Sequence, residues 1–182
     1  MGACVLSAQG TAPPSRGTTA SPAGQAAAPA AANPGVILDT AKGTIEIELF
    51  QSEAPKSVEH IIALVKRGSF YRAQRFHRVE DSLVQAGDPL TKNFQYRDSW
   101  GTSGSGNPIG VAEISKRRQH VRGTVGLASA AGPAYADSQF YIMKRASPSL
   151  DGKYAIIGQV TKGMEVVDKI EVADLIKDMR MK

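Results

Sequence analysis

Residues 75–89 read RFHRVEDSLVQAGDP and set a cation, an amide and several apolar side chains at strand spacing. In an extended chain alternate residues share a face, so Phe76 and Arg78 point one way and His77 and Val79 the other. Seven residues after Arg78, Gln85 lies one strand step beyond Leu83, again a polar and an apolar group on one face. An arginine is almost never buried without a partner, so the Arg78 face is expected to open to solvent or to a ligand. Mixed faces of this kind are binding surfaces or plain strand edges, and spacing leaves both open. The run offers a charged donor beside apolar surface. It offers no nucleophile.

Other reactive constellations are missing. The glycine run GTSGSGNPIG at 101–110 holds Gly104-x-Gly106, but Ile109 stands where a dinucleotide fingerprint requires its third glycine. No GK[ST] lysine follows, and no GxSxG elbow occurs anywhere. Ser129, in GLASAAGP, sits between alanines with no assignable base, which reads as a strand or loop serine. His60, His77 and His120 show neither HExxH nor Cys/His spacing, so no metal site is expected. His77, on the face opposite Arg78, reads as a hydrogen-bonded structural residue rather than a proton shuttle. No cofactor is expected. Any chemistry must come from positioning and electrostatics.

The elements that would position these groups begin after a distinct N-terminal segment. Residues 1–34 are mostly Ala, Pro, Gly, Ser and Thr, with Arg16 the one charged side chain. Such a composition cannot bury enough apolar surface to offset the entropy of ordering it, and it reads as a disordered tail or tether. Its opening MGAC resembles the small-small-cysteine end of a bacterial lipoprotein signal. A lipid anchor at Cys4 and an envelope or periplasmic location are therefore expected, with a cytoplasmic location the alternative. A single cysteine excludes an intrachain disulfide.

Residues 35–182 read as one domain. Of the formal charge of +5, removing Arg16 leaves +4 on this body. Its densest cluster, KRRQHVR at 116–122, is short and lacks interleaved aromatics, so it reads as a solvated basic face and nucleic acid is not an expected partner. No apolar run is long enough to cross a bilayer. GTIEIELF alternates Ile45, Ile47 and Leu49 with Glu46 and Glu48, which predicts a half-buried antiparallel strand. Pro55 opens a helix whose Val58, Ile61, Ile62 and Val65 share one face, and Gly68 stops it. Further strands are expected at 75–79, 82–86, 124–130, 139–144 and 154–160, a short helix at 163–170 and a returning strand at the C-terminus. Many strands, few helices and glycine-rich turns predict a mainly β closed barrel or sandwich.

Five runs, RFHRVEDSLVQAGDP, GTSGSGNP, HVRGTVGLASA, SQFYIM and LDGKYAIIGQV, occur in this order between about residues 36 and 170. Together they resemble the cyclophilin-type peptidyl-prolyl cis–trans isomerases. That resemblance implies a closed eight-stranded antiparallel β-barrel capped by two α-helices. It also implies cofactor-free rotation about X–Pro bonds in unfolded or flexible polypeptides, in aid of folding, by a monomer. It places Arg78 as the catalytic arginine, and Leu83, Gln85, Ala128, Ser129, Gln139, Tyr141, Leu150 and Tyr154 around the bound peptide. Tyr141 would floor the proline pocket where the family usually has phenylalanine. The alternative is a slow peptide-binding or chaperone module with the same barrel.

Two departures bear on that alternative, and a third, at Ser149, bears on cyclosporin binding. The segment between Arg78 and Gln85 is one residue shorter than in the best-known members, with Ser82 at or beside the place of an expected phenylalanine. Ser149 stands where some members carry tryptophan. KNFQYRDSW at 92–100 is an extra excursion before the Gly101-Thr102 loop.

Overall fold

The computed structural model describes residues 33–182. The tether and anchor expected over 1–34 lie outside the described residues, apart from Asn33 and Pro34, which are already fastened to the domain. Asn33 Nδ2 donates to Glu48 Oε1 at 2.7 Å, and Pro34 O accepts from Leu49 N at 2.8 Å.

The alternation of GTIEIELF does fold as a strand. β2 (Gly43–Leu49) buries Ile45, Ile47 and Leu49 and pairs antiparallel with β1 (Gly35–Thr40). Six more strands complete one antiparallel sheet: β3 (Arg78–Val79), β4 (Leu83–Ala86), β5 (Thr124–Leu127), β6 (Phe140–Met143), β7 (Ile156–Lys162) and β8 (Ile176–Met181). Their order is β3-β4-β6-β5-β7-β2-β1-β8. The sheet curls, as right-handed strand twist accumulates across neighbours. Its two ends approach: Arg75, just before β3, bridges Leu175, just before β8.

Helix α1 (Pro55–Lys66) buries Val58, Ile61, Leu64 and Val65, while Ile62, expected on that face, is only partly covered. Gly68 follows at φ +67°, the left-handed conformation that ends the helix without steric cost. Ala54 at the N-cap has no side chain to satisfy the first-turn donors. Glu113 supplies what Ala54 lacks: Oε1 accepts from Lys56 N at 3.1 Å and Oε2 from Ser57 N at 2.7 Å. Helix α2 is a single turn, Met164–Val167.

Regular pairing in the first motif starts later than 75–79 implies. Only Arg78 and Val79 pair with β4, with His77 N donating to Gln85 O, because the chain up to Phe76 is bonded to the other end of the sheet. Phe76 N donates to Asp174 O and Phe76 O accepts from Ala173 N. This change of partner turns the chain. Phe76 enters the main core fully buried, whereas the Arg78 side chain is 52% exposed. Phe76 and Arg78 therefore do not share a face, since strand alternation holds only where strand pairing is continuous.

Strands β4, β5 and β6 are buried along their whole lengths, for a different reason on each face. Val84, Ala86, Val125, Leu127, Phe140 and Ile142 point into the main core. Leu83, Tyr141 and Met143 form a second, outward cluster, flanked by Ala128, Leu150 and Tyr154. An outward face that is apolar yet covered is where a site belongs.

The remote cap on α1 gives a first prediction. Glu113→Ala should destabilise the domain by about 0.5–2 kcal/mol, the usual cost of losing a helix N-cap. A lower urea midpoint at unchanged slope would show it, and an unaltered midpoint would mean that water replaces the carboxylate.

Candidate active site

The outward face is organised by register. Arg78 lies opposite Gln85, Gln85 opposite Tyr141 and Tyr141 opposite Gly126, so four strands contribute one row. Residues directly opposite in antiparallel strands share a face and touch. Gly126 is the position where side-chain size matters, since a Cβ there would collide with the Tyr141 ring. Leu83, two residues before Gln85, shares that face opposite Met143.

Above this row lies a cleft of about 570 Å³. Arg78, Leu83, Gln85, Ala128, Ser129, Gln139, Tyr141, Leu150 and Tyr154 all line it. The structure thus brings all nine expected site residues together. Tyr141 is 4% exposed at the bottom, and the Tyr154 ring meets it edge-on at 6.1 Å between centroids. Ala128 N is bonded to Gln139 O at 2.9 Å where β5 ends, which leaves Ser129 on the rim.

Amide side chains hold the guanidinium. Gln139 Nε2 donates to the carbonyls of Gly101 (2.9 Å) and Ser103 (2.7 Å), so its Oε1 points back to accept from Gln85 Nε2 at 2.9 Å. Gln85 Oε1 then accepts from Arg78 Nη1 at 3.4 Å. Arg78 Nε donates to Glu80 Oε1 at 2.7 Å. Among the described residues no protein group takes the Nη2 protons, and together with the second Nη1 proton they are the donors left for a ligand.

A family model for the cyclophilin type peptidyl-prolyl cis-trans isomerase/CLD matches residues 36–182. The chain belongs to the cyclophilin-type isomerases. A probable peptidyl-prolyl cis-trans isomerase of Brucella suis is 42% identical over 141 residues, covering 75% of this chain and 70% of that protein. A peptidyl-prolyl cis-trans isomerase of Helicobacter pylori is 34% identical over 145 residues, covering 78% and 83%. The crystal structure of a Cryptosporidium parvum cyclophilin-type isomerase superposes with a TM-score of 0.70 at 27% identity, covering 82% of this chain and 98% of that one. The reaction of this cyclophilin is rotation about the peptide bond before proline.

Three features of the cleft escape a reading by spacing. His77 does not face away: it lines the cleft with Arg78 and Trp100, and among the described residues neither ring nitrogen has a hydrogen-bond partner. Burial holds this imidazole below its ordinary range, so it is neutral at pH 7. Trp100 reaches the wall from the end of the excursion. Ser82 takes no part in the lining; its carbonyl accepts from Lys144 N at 2.7 Å.

The third feature is His120, at 1% exposure beneath the floor. Asp151 Oδ1 accepts from His120 N at 2.7 Å and sits 2.8 Å from Nδ1. Those bonds hold the Asp151 carboxyl below its usual range, the backbone N–H foremost. A carboxylate only accepts, so Nδ1 carries a proton, and in the tautomer that this leaves, Nε2 accepts from the Tyr141 hydroxyl at 2.7 Å. Burial pushes the Tyr141 phenol up, which keeps it a donor at neutral pH. A tyrosine can floor this pocket because His120 satisfies its hydroxyl.

The KRRQHVR run is exposed at Lys116, Arg117 and Arg122, as expected of a solvated basic face, but some of its members are individually committed. His120 is interior, Arg118 is bidentate on Glu53 over the Phe50 ring, and Arg122 is bidentate on Asp168.

These pairings predict non-additivity. Tyr141→Phe or His120→Leu alone leaves one buried polar atom unpaired and should cost about 1–3 kcal/mol. The double variant should be no less stable than His120→Leu, because both unpaired groups are then gone. Thermal unfolding of the three proteins decides, and simple additivity would refute the bond.

Proposed function

We propose that Arg78 is the catalytic group of this isomerase and that the cleft over Tyr141 seats the proline ring. The observation carrying this reading is the convergence of a tethered guanidinium, with unclaimed Nη2 donors, on a pocket of Leu83, Tyr141 and Leu150. Amide resonance sets a barrier of about 18–20 kcal/mol to rotation about the X–Pro bond. At a quarter turn the conjugation is lost, the prolyl nitrogen becomes pyramidal, and its lone pair can accept a hydrogen bond. A donor aimed at that nitrogen binds the twisted amide better than either planar form, which is the differential binding that catalysis needs. Arg78 would give it from Nη2. A guanidinium keeps its charge at any working pH and holds its donors in a rigid plane.

One charged hydrogen bond contributes about 1.5–3 kcal/mol, or about one to two decades in rate. The rest would come from holding the ring in the apolar slot while Ser129, Ala128 and the glutamines fix the flanking backbone. The substrates are accordingly proline-containing segments of unfolded or flexible polypeptides. We infer further that the sheet closes into a barrel. The Arg75–Leu175 bridge and the bonds Ala73 N to Ile176 O and Ile176 N to Gln74 O support closure, which leaves no open edge beneath the site.

One contact favours the slower peptide-binding reading. Glu80 occupies Arg78 Nε and partly neutralises the cation. A protease-coupled assay on an Ala-Pro tetrapeptide separates the two. Ready catalysis is expected, falling at least about tenfold in Arg78→Ala. Indistinguishable rates for parent and variant would shift the assignment to a binding module.

A further inference from the structure

The 92–100 excursion is rigidly built at its base, aromatic at its surface and continuous with the cleft. Asp88, fully buried, clamps both of its ends: Oδ1 accepts from Leu90 N at 2.7 Å, and Oδ2 accepts from Gly101 N at 2.6 Å and Ser103 N at 3.3 Å. Within it, Asn93 Oδ1 accepts from Gln95 N at 2.9 Å, and Trp100 Nε1 donates to Asn93 O at 3.3 Å. Two successive 3-10 turns, Pro89–Lys92 and Phe94–Ser99, result. A loop held this firmly presents the same surface in the free protein, so little ordering entropy is lost on binding.

That surface is unusual for a loop. Phe94 is 50% exposed and Tyr96 is 48% exposed. The Arg75 guanidinium lies 4.4 Å from the Phe94 ring centre and that of Arg97 lies 5.9 Å from the Trp100 ring centre. Trp100 packs 5.3 Å from Phe94 and also lines the cleft beside Arg78. Among the described residues neither Arg75 nor Arg97 is ion-paired, in contrast to Arg118 and Arg122, which are each held by a carboxylate. Arg75 is half-buried and its Nη1 donates to Ala173 O at 2.9 Å, so Arg97 is the exposed cation of the ridge. Exposed aromatics and an arginine, preorganised next to a binding pocket, have the composition of an interface core.

We propose that this ridge is an extension of the substrate groove and that it receives an acidic side chain of the client polypeptide. The inference rests on the proline-pocket reading, because the occupant is the chain already held there. Trp100 is shared by pocket and ridge, and Arg97 stands over its ring. An extended peptide advances about 3.3–3.6 Å per residue, so a side chain a few positions from the proline can reach a cation one ring beyond the cleft wall. The aromatic faces would cover the apolar part of its side chain, and Arg97 would take the carboxylate.

The test is exchange NMR on Ala-Pro peptides that carry Glu or Gln at the second, third or fourth position before or after the proline. The readout is the ratio of kcat/KM for each Glu peptide to its Gln counterpart. On one side of the proline the parent should favour Glu by about threefold, the scale of an exposed ion pair. Arg97→Glu should erase or invert that ratio, Arg97→Lys should retain it, and high salt should shrink it. A ratio near one on both sides, or the same ratio in Arg97→Glu, overturns the inference while leaving the isomerase reading intact. Failure of the parent to accelerate any of the peptides overturns the pocket reading and this inference with it.

Discussion

The site depends on three short strands that must be covered on both faces at once. β4, β5 and β6 have four residues each, and the two-residue period assigns alternate side chains to the main core and to the cleft. A one-residue slip of β6 against β4 would send Tyr141 into the core and Ile142 into the cleft. Core packing therefore sets the register of the site. Val84, Ala86, Phe140 and Ile142 interlock below, so Arg78, Gln85 and Tyr141 line up above. Gly126 completes the arrangement by leaving the space over β5 to a ring.

Register brings the groups together but does not aim them. Aiming falls to polar chains that run in from two sides. Gln139 is anchored on the carbonyls of Gly101 and Ser103, which fixes the sense of its amide and in turn those of Gln85 and Arg78. From below, Asp151 fixes the tautomer of His120, which fixes the hydroxyl of Tyr141. Both chains end on backbone or on a carboxylate that can act in one sense only. This is what makes them orienting rather than merely cohesive.

Much of this was legible in the sequence where a local period dominates. β2 and α1 follow from alternation and from a 3.6-residue apolar face. β1 was not singled out, because in GVILDT three apolar residues run together and hide the two-residue signal. The longer strand expected at 75–79 failed where the chain exchanges one partner strand for another, an event that leaves no trace in residue types. The nine cleft residues came from resemblance to a family, since Leu150 and Tyr154 have no spacing relation to Arg78. His120 was hidden for a physical reason: it sits in a basic run, and its partners, 21 and 31 residues away, are brought to it only by the fold. Trp100 was equally unreadable, because an excursion shows its wall-forming side only once Asp88 has joined its ends.

The glutamate on Arg78 has a second consequence beyond weakening the cation. A guanidinium on an exposed strand end has several low-energy rotamers, and a donor spread among them stabilises the twisted amide only for the fraction of time that it points there. Glu80 on Nε and Gln85 on Nη1 restrict that choice, at the expense of partial neutralisation through an exposed pair worth at most about 1 kcal/mol. The hydrogen bond proposed from Nη2 to the twisted amide would be made in the drier cleft and contribute about 1.5–3 kcal/mol. Fixing the direction of the stronger contact by means of the weaker one is a net gain whenever the free side chain would otherwise point elsewhere most of the time. On the proposal that Arg78 is the catalytic group, Glu80 would be its positioning residue, and the ion pair is as compatible with turnover as with its loss.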